Sequence, residues 1–343
     1  MEKLLINGGG SLSGTISCSG AKNAALPMIA ATILSNESIV LKNLPYLQDI
    51  TTMFELLGSM GAEILLNENM DFTITSNKLK EKEARYELVK TMRASILVLG
   101  PLVAKYGSAR IALPGGCAIG SRPVNFHLDA LEQLGASISL RNGYIEARAD
   151  RLVGTKIKFD GVTVTGTENI MMAACLAKGT TILTNVAKEP EIIDLADLLN
   201  DMGAKITGAG TDKITIEGVR DLHGTEFSIP ADRIEAGTYL VAAVVTGGEI
   251  TINGINPERL NKVLDKLKET GAKIITTKNS ISLSMNQQKP KPVDITTAPF
   301  PEFPTDMQAQ FSVINAISDG VSNIYETVFE NRFMHVQELN RMG

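Results

Sequence analysis

The chain has 343 residues, 44% of them hydrophobic and 21% charged, which suits a globular protein of about two domains, each with its own core. Its net charge of −5 gives no support to bulk binding of nucleic acid or of an anionic membrane, although locally gathered Lys and Arg can still hold an anionic substrate. Three cysteines without CxxC spacing argue against a disulfide framework or a zinc site and fit a reducing, cytoplasmic compartment.

In chain order, the first elements are a short strand over residues 14–18, a helix over 21–34 opened by Ser19-Gly20, and a second strand over 37–41. A second helix over 48–60 follows, closed by Gly61, and then a hairpin of 63–66 and 71–75 with alternating apolar and polar residues. The unit is βαβαββ. Its marker, Leu followed four residues later by Gly and usually Ala, occurs five times: Leu57 to Gly61, Leu131 to Gly135, Leu199 to Gly203, Leu267 to Gly271 and Leu339 to Gly343. The glycines lie 74, 68, 68 and 72 residues apart. A period of that size means one structural unit used repeatedly, and glycine at a helix end predicts a left-handed cap. The fifth copy reaches its glycine at Gly343, before a hairpin.

The two helices of each copy differ. The second is amphipathic, as in Glu189-Pro-Glu-Ile-Ile-Asp-Leu-Ala-Asp-Leu-Leu, and is predicted to lie on the surface. The first is apolar nearly all round: residues 24–34, 94–104, 170–177 and 239–245. A helix without a polar face must be surrounded by protein. Three copies would therefore bury three helices behind sheets, and five copies suggest two threefold domains, the second incomplete. The longest apolar stretch, 94–104, is too short to span a membrane. No signal peptide is expected, since the chain reaches glycines within its first eight residues. His127, His223 and His335 are scattered, so neither a metal nor a cofactor is expected.

The buried helices begin in polar segments: Ser19-Gly-Ala-Lys22-Asn23, Lys90-Thr-Met-Arg93, Thr163-Val-Thr165-Gly-Thr-Glu-Asn169, Pro230-Ala-Asp232-Arg233 and Pro304-Thr-Asp306-Met-Gln308. A helix amino terminus carries free N–H groups and about half a positive charge, so it attracts anions. Five such starts at equivalent repeat positions are candidates to converge on one polyanionic ligand. Capping alone accounts for Ser, Thr and Asp. It does not account for Lys22, Arg93 and Arg233, because a cation there opposes the helix dipole.

Two further segments stand out. Leu113-Pro-Gly-Gly-Cys117-Ala-Ile-Gly-Ser-Arg122-Pro-Val-Asn-Phe-His127 is a Gly- and Pro-rich insertion in copy two, predicted as an exposed loop. Cys117 there is a candidate proton donor, or a nucleophile if a cation such as Arg122 lowers its pKa; an incidental loop cysteine is the alternative. Cys18 and Cys175 are expected to be buried. Ala298-Pro-Phe-Pro-Glu-Phe-Pro304-Thr-Asp306 carries three prolines that stiffen the approach to Asp306, as suits a held acid or base and also a capped Pro-rich connection. Glu326-Thr-Val328-Phe-Glu-Asn-Arg332-Phe-Met-His335 takes, in copy five, the place of the Cys117 loop.

Ser19-Gly-Ala-Lys22-Asn23-Ala-Ala, Gly115-Gly-Cys117-Ala-Ile-Gly-Ser-Arg122-Pro-Val, Phe303-Pro-Thr-Asp306-Met-Gln-Ala-Gln and Phe329-Glu-Asn-Arg332-Phe-Met-His together resemble the UDP-N-acetylglucosamine enolpyruvyl transferases, with all four motifs in family order. The resemblance implies an α/β fold: a two-domain inside-out α/β barrel of repeated βαβαββ units, helices inside and sheets outside. It places residues 22–228 in the first domain and 1–21 with 229–343 in the second, incomplete one. It implies transfer of the enolpyruvyl group of phosphoenolpyruvate to the 3′-hydroxyl of UDP-N-acetylglucosamine, by addition and elimination, as the committed step of peptidoglycan synthesis, without metal or cofactor. By the same resemblance Cys117 is the proton donor and fosfomycin target, and Asp306 the base at the hydroxyl. Lys22, Asn23, Arg122 and Arg332 hold phosphoenolpyruvate, with Lys22 counted as catalytic, and Asp232 lies close to the reacting groups. Arg93, Arg122, Pro123, Val124, Asn125, Phe126, Val328 and Asp306 are implied at the UDP-sugar site. Thr163 and Val164 match a diphosphate-binding turn less closely, since this chain has Val-Thr-Gly-Thr where many members have Val-Gly-Ala-Thr.

Family members continue for roughly seventy-five residues beyond the position of Gly343, so the resemblance leads to the expectation that this chain alone is inactive or nearly so, with an unstable second domain. Alternatives are an enolpyruvyl transferase acting on shikimate 3-phosphate, which the Cys117 loop disfavours, and a non-catalytic UDP-sugar-binding fragment.

Overall fold

A computed structural model of the chain describes residues 5, 7–90, 92–113 and 124–342. The chain forms two compact units, one of residues 20–230 and one of residues 1–19 with 231–343.

Residues 20–230 hold three copies of one pattern. In the second copy a four-stranded sheet runs Glu83–Ala84, Ser108–Ala112, Tyr144–Arg148, Ser137–Arg141. The first pair is parallel and the other two are antiparallel. Parallel neighbours need a long crossover, which the apolar helix supplies, while a tight turn closes the last two strands as a hairpin. The third copy repeats this order with Lys156–Lys158, Thr180–Thr184, Lys213–Glu217 and Lys205–Thr207.

The first copy departs from the reading of the repeat. Ile39–Lys42, Phe72–Thr75 and Glu63–Leu66 follow the pattern, but their edge strand is Glu226–Ser228, parallel to Ile39–Lys42. The strand expected there forms as Ser13–Ser17 and pairs in parallel with Glu249–Asn253. It thereby opens the fourth copy's sheet, which continues through Ser280–Ser284 and Lys273–Thr276. Copies one and four have exchanged edge strands. Short alternating strands fit either edge, and the choice depends on which edges the closed units present.

The apolar helix Val164–Ala174 packs on both Lys22–Ala31 and Leu99–Tyr106 in the core of residues 20–230, so the expected trio of buried helices is present in this unit. The approach between the last two is close: a Cβ added at Gly100 would lie 2.4 Å from both the carbonyl O and the side-chain Oδ1 of Asn169. The same contact interrupts the helix expected over 94–104. Asn169 Oδ1 accepts from Gly100 N at 2.7 Å, and Asn169 Nδ2 donates to Ile96 O at 3.0 Å. The side-chain amide thus occupies the place of the 100-to-96 backbone hydrogen bond, and Pro101 has no N–H for the next one. Arg93–Val98 accordingly winds as a 3-10 helix before the α-helix begins at Leu99.

The amphipathic helices are Gln48–Met60, Asn125–Gln133, Pro190–Asp201 and Asn261–Glu269. The glycines at their ends, Gly61, Gly135, Gly203 and Gly271, all have φ between 94° and 107°, the left-handed cap that glycine forms at least cost. Pro190–Asp201 corrects the expectation of a surface helix. It packs on Lys22–Ala31 and Val164–Ala174 together and buries Glu191 and Asp194 along with its apolar side.

In the other unit Arg233–Val245 and Gln308–Ile317 pack on each other. Both are less enclosed than their counterparts, with Tyr239 and Ile317 exposed. The fifth copy contributes the parallel pair Ile295–Thr296 and Ile324–Tyr325, followed by Met334–Arg341, none of whose residues is buried. Among the described residues no helix is long and apolar enough to cross a membrane.

Candidate active site

The residues singled out from the sequence fall into two sets, one in each unit. Cys117, Arg122 and Pro123 lie outside the described residues.

In residues 20–230, Lys22 is the first residue of its helix, after extended Ala21, whose N–H donates to Pro230 O at 2.8 Å. Its ammonium lies 3.3 Å from Asp49 Oδ2, in the first turn of Gln48–Met60. That carboxylate offsets a cation placed at the positive end of a helix dipole. Both side chains are about two-fifths exposed (41% and 37%), so the pair contributes under about 1 kcal/mol and is open to competition from a bound anion. Asn23 beside it is exposed. Arg93 begins the 3-10 helix, half-buried.

Val124 leads into Asn125–Gln133; Asn125 is exposed, and the half-buried Phe126 lies against Gly161, where an added Cβ would meet its ring at 3.2 Å. Thr163 caps Val164–Ala174, its Oγ1 accepting from Gly166 N at 3.2 Å. The capping account of Thr163 is therefore realised in the structure, and Val164 opens the helix behind it.

One turn further into that helix lie two groups that sequence reasoning passed over. Asn169, fully buried, also directs its Nδ2 at His127 Nδ1, 2.8 Å away. His127 Nε2 in turn faces Thr165 Oγ1 at 3.3 Å. Burial, with the nearby Arg93 charge, pushes His127 down to about 4. Glu168 is buried, and its Oε1 has no hydrogen-bond partner. Burial first, then the charges of Glu191 and Glu189, hold its carboxyl well above the usual range. The sequence shows this pair only as the last two residues of the polar helix start 163–169, with nothing to mark their burial or their partners.

In residues 1–19 with 231–343, Asp232 caps Arg233–Val245, accepting from Ile234 N at 2.7 Å and Glu235 N at 3.1 Å. Ser19 Oγ donates to Glu235 Oε2 at 2.5 Å. Cys18, beside these acids, is pushed up to about 12 by burial and then by Glu235 and Asp232. Cys175 reaches about 12 by burial alone. Both thiols are buried and inert, as expected.

Asp306 sits in the short turn Thr305–Met307, and Arg332 Nη2 donates to its Oδ1 at 2.6 Å. The guanidinium, only 19% exposed, also lies 5.7 Å from the centre of the Phe329 ring. Beneath this pair Glu326 acts as an unforeseen hub. Its carboxylate accepts from Thr297 Oγ1 at 2.9 Å, Thr305 Oγ1 at 2.8 Å, Val328 N at 2.8 Å and Phe329 N at 3.1 Å. One buried-side acid thus ties the turn bearing Asp306 to the segment bearing Val328 and Arg332. No sequence period marks it, since its four partners come from three separate segments.

A depression of about 560 Å³ lined by Lys158, Asp160, Asn185 and Lys213, among others, contains none of these residues. Among the described residues no cluster of His, Cys, Asp or Glu is arranged to hold a metal ion.

The family model described as EPSP synthase (3-phosphoshikimate 1-carboxyvinyltransferase) matches residues 6–343. Three curated relatives, from Hydrogenovibrio crunogenus, Halorhodospira halophila and Ruthia magnifica, are 55%, 56% and 57% identical over all 343 residues, which cover 82% of each relative. Each is named UDP-N-acetylglucosamine 1-carboxyvinyltransferase. Among solved structures, the enolpyruvyl transferase NikO from Streptomyces tendae superposes with a TM-score of 0.86 at 24% identity, over 98% of this chain and 80% of that one. An EPSP synthase from Acinetobacter baumannii gives 0.70 at 18% identity, over 92% and 74%. Both show similarity of fold.

Proposed function

The chain belongs to the EPSP synthase family of carboxyvinyltransferases, and on that premise we propose that it moves the enolpyruvyl group of phosphoenolpyruvate to the 3′-hydroxyl of UDP-N-acetylglucosamine in peptidoglycan synthesis, releasing phosphate. The observation that carries this reading is identity of 55–57% along the whole chain to relatives bearing that activity in their name. Shikimate 3-phosphate is the less supported acceptor, since the solved EPSP synthase shares only 18% of its sequence with this chain.

The chemistry requires one proton to leave the acceptor hydroxyl and one to reach C3 of phosphoenolpyruvate. The hydroxyl oxygen adds to C2, giving a tetrahedral ketal. Loss of phosphate and of a C3 proton then restores the double bond. Asp306 takes the hydroxyl proton in this reading; its carboxylate is paired with Arg332, and the turn carrying it is tied to Glu326 through Thr305. Positioned proton transfer of this kind is worth roughly 10²–10⁴ in rate. Cys117 supplies the C3 proton and is the site of fosfomycin addition. Lys22, Asn23, Arg122 and Arg332 supply charge and hydrogen bonds for phosphoenolpyruvate, with Asp232 nearby. The partly exposed contact of Lys22 with Asp49 is weak enough for a phosphate oxygen to compete with it. Arg93, Val124, Asn125, Phe126, Thr163, Val164 and Val328, with Arg122 and Pro123, hold the UDP-sugar. Preorganised cations do the work a metal would otherwise do. A cytoplasmic location suits both substrates and a free loop thiol, and the product feeds cell-wall growth and hence cell shape and division.

Fosfomycin labelling read by mass spectrometry, alongside calorimetry with each acceptor, tests the reading. A single adduct on Cys117 and binding of UDP-N-acetylglucosamine, but not of shikimate 3-phosphate, are expected. Folded protein with no adduct on Cys117, or with the opposite acceptor preference, overturns it.

A further inference from the structure

The Asn169 side chain makes three hydrogen bonds, two of them to backbone groups whose roles are fixed. Gly100 N can only donate, so the atom 2.7 Å from it is the amide oxygen; Ile96 O can only accept, so the atom 3.0 Å from it is the amide nitrogen. The amide orientation is thereby determined without reference to the histidine. Its remaining N–H points at His127 Nδ1, 2.8 Å away. Nδ1 must accept, and in a neutral imidazole the proton then resides on Nε2. Nε2–H faces Thr165 Oγ1 at 3.3 Å. With that lone pair engaged, the hydroxyl of the exposed Thr165 keeps its own hydrogen to donate.

We propose that Asn169 is a positioning residue: its amide, inserted in the helix ladder between Ile96 and Gly100, locks His127 as a neutral Nε2–H donor and through it sets the Thr165 hydroxyl and the Arg93 turn at the helix starts. The proposal rests on the UDP-sugar reading above for what those starts hold. Protonation of His127 would set an N–H at Nδ1 against the amide N–H of Asn169, beside Arg93, and so breaks the arrangement. His127 is consequently a fixed donor and not a proton carrier. Thr165 adds to the chain of donors at a position where many resembling sequences have glycine.

Nitrogen-15 NMR of the histidine side chains tests this on the full chain, which has only three histidines. In the wild type, one imidazole, absent in His127→Gln, should remain in the Nε2–H tautomer with Nδ1 bare from pH 8 to pH 5. An Nδ1–H tautomer, or protonation near pH 6.5, overturns the proposal with no variant needed. Asn169→Asp keeps the acceptor for Gly100 N and loses both donors, so His127 should gain a proton at Nδ1 at neutral pH. Calorimetry on the same variant should show UDP-N-acetylglucosamine bound about tenfold more weakly. If the tautomer changes and affinity does not, the positioning role is wrong. If the wild type binds no UDP-N-acetylglucosamine while the tautomer is as stated, the fault lies with the functional reading and not with Asn169.

Discussion

At the scale of single residues, two buried groups give the protein opposite responses to acid. His127 is lowered from 6.5 to about 4 by burial and Arg93. Its unfolded form therefore binds a proton first as pH falls, and stability is lost between pH 6.5 and about 4, by up to about 3 kcal/mol. Glu168 is raised well above 4.5 by burial, Glu191 and Glu189. Its folded form holds the proton more tightly, so stability is full below 4.5 and is lost as pH rises through the folded value. Glu168→Gln keeps the neutral shape and removes the second effect alone. Thermal melts should show this variant more stable than wild type at pH 8 and no more stable at pH 4; equal melting points at both pH values would mean Glu168 is not strained in the folded state. Neither effect is legible in the sequence. The perturbation of His127 could not be read there, because it comes from burial beneath other elements and from the charge of Arg93 on another helix.

Among elements, the instructive case is the helix that the sequence places over 94–104. Its apolar character predicts burial correctly. It gives no sign that residues 93–98 wind as 3-10, because the cause is an amide from another helix, joined to Pro101. Gly100 is the counterpart of that intrusion. Gly100→Ala puts a methyl 2.4 Å from Asn169 O and Oδ1, and overpacking of this kind costs about 1–3 kcal/mol. Denaturant unfolding should register that loss, together with displacement of Asn169; a neutral substitution would show that the two helices are free to part. The Glu326 hub belongs to the same scale. It fastens three separate segments, so the turn carrying Asp306, which opens Gln308–Ile317, is tied by a carboxylate to the segment carrying Val328 and Arg332.

For the whole molecule, the exchange of edge strands decides which parts of the chain fold together. Ser13–Ser17 closes the sheet built on Glu249–Asn253, and Glu226–Ser228 closes the one built on Ile39–Lys42. Removing residues 1–17 should therefore speed amide hydrogen exchange in 249–253 and 280–284 while leaving 39–42 and 72–75 as protected as before. Faster exchange in 39–42 would instead return the first strand to the first copy. The sequence by itself determined the repeat, the βαβαββ order, the glycine caps at 61, 135, 203 and 271, and which helices lack a polar face. All of these are local: they follow from spacing and from the conformational freedom of glycine. Only the tertiary structure decided which edge each first strand joins, why Pro190–Asp201 buries acids, and how Asn169, His127 and Glu326 tie helix starts and turns together. Those outcomes rest on hydrogen bonds and burial between residues tens to hundreds of positions apart, and a one-dimensional pattern carries no record of which distant partner completes a donor, an acceptor or a sheet edge.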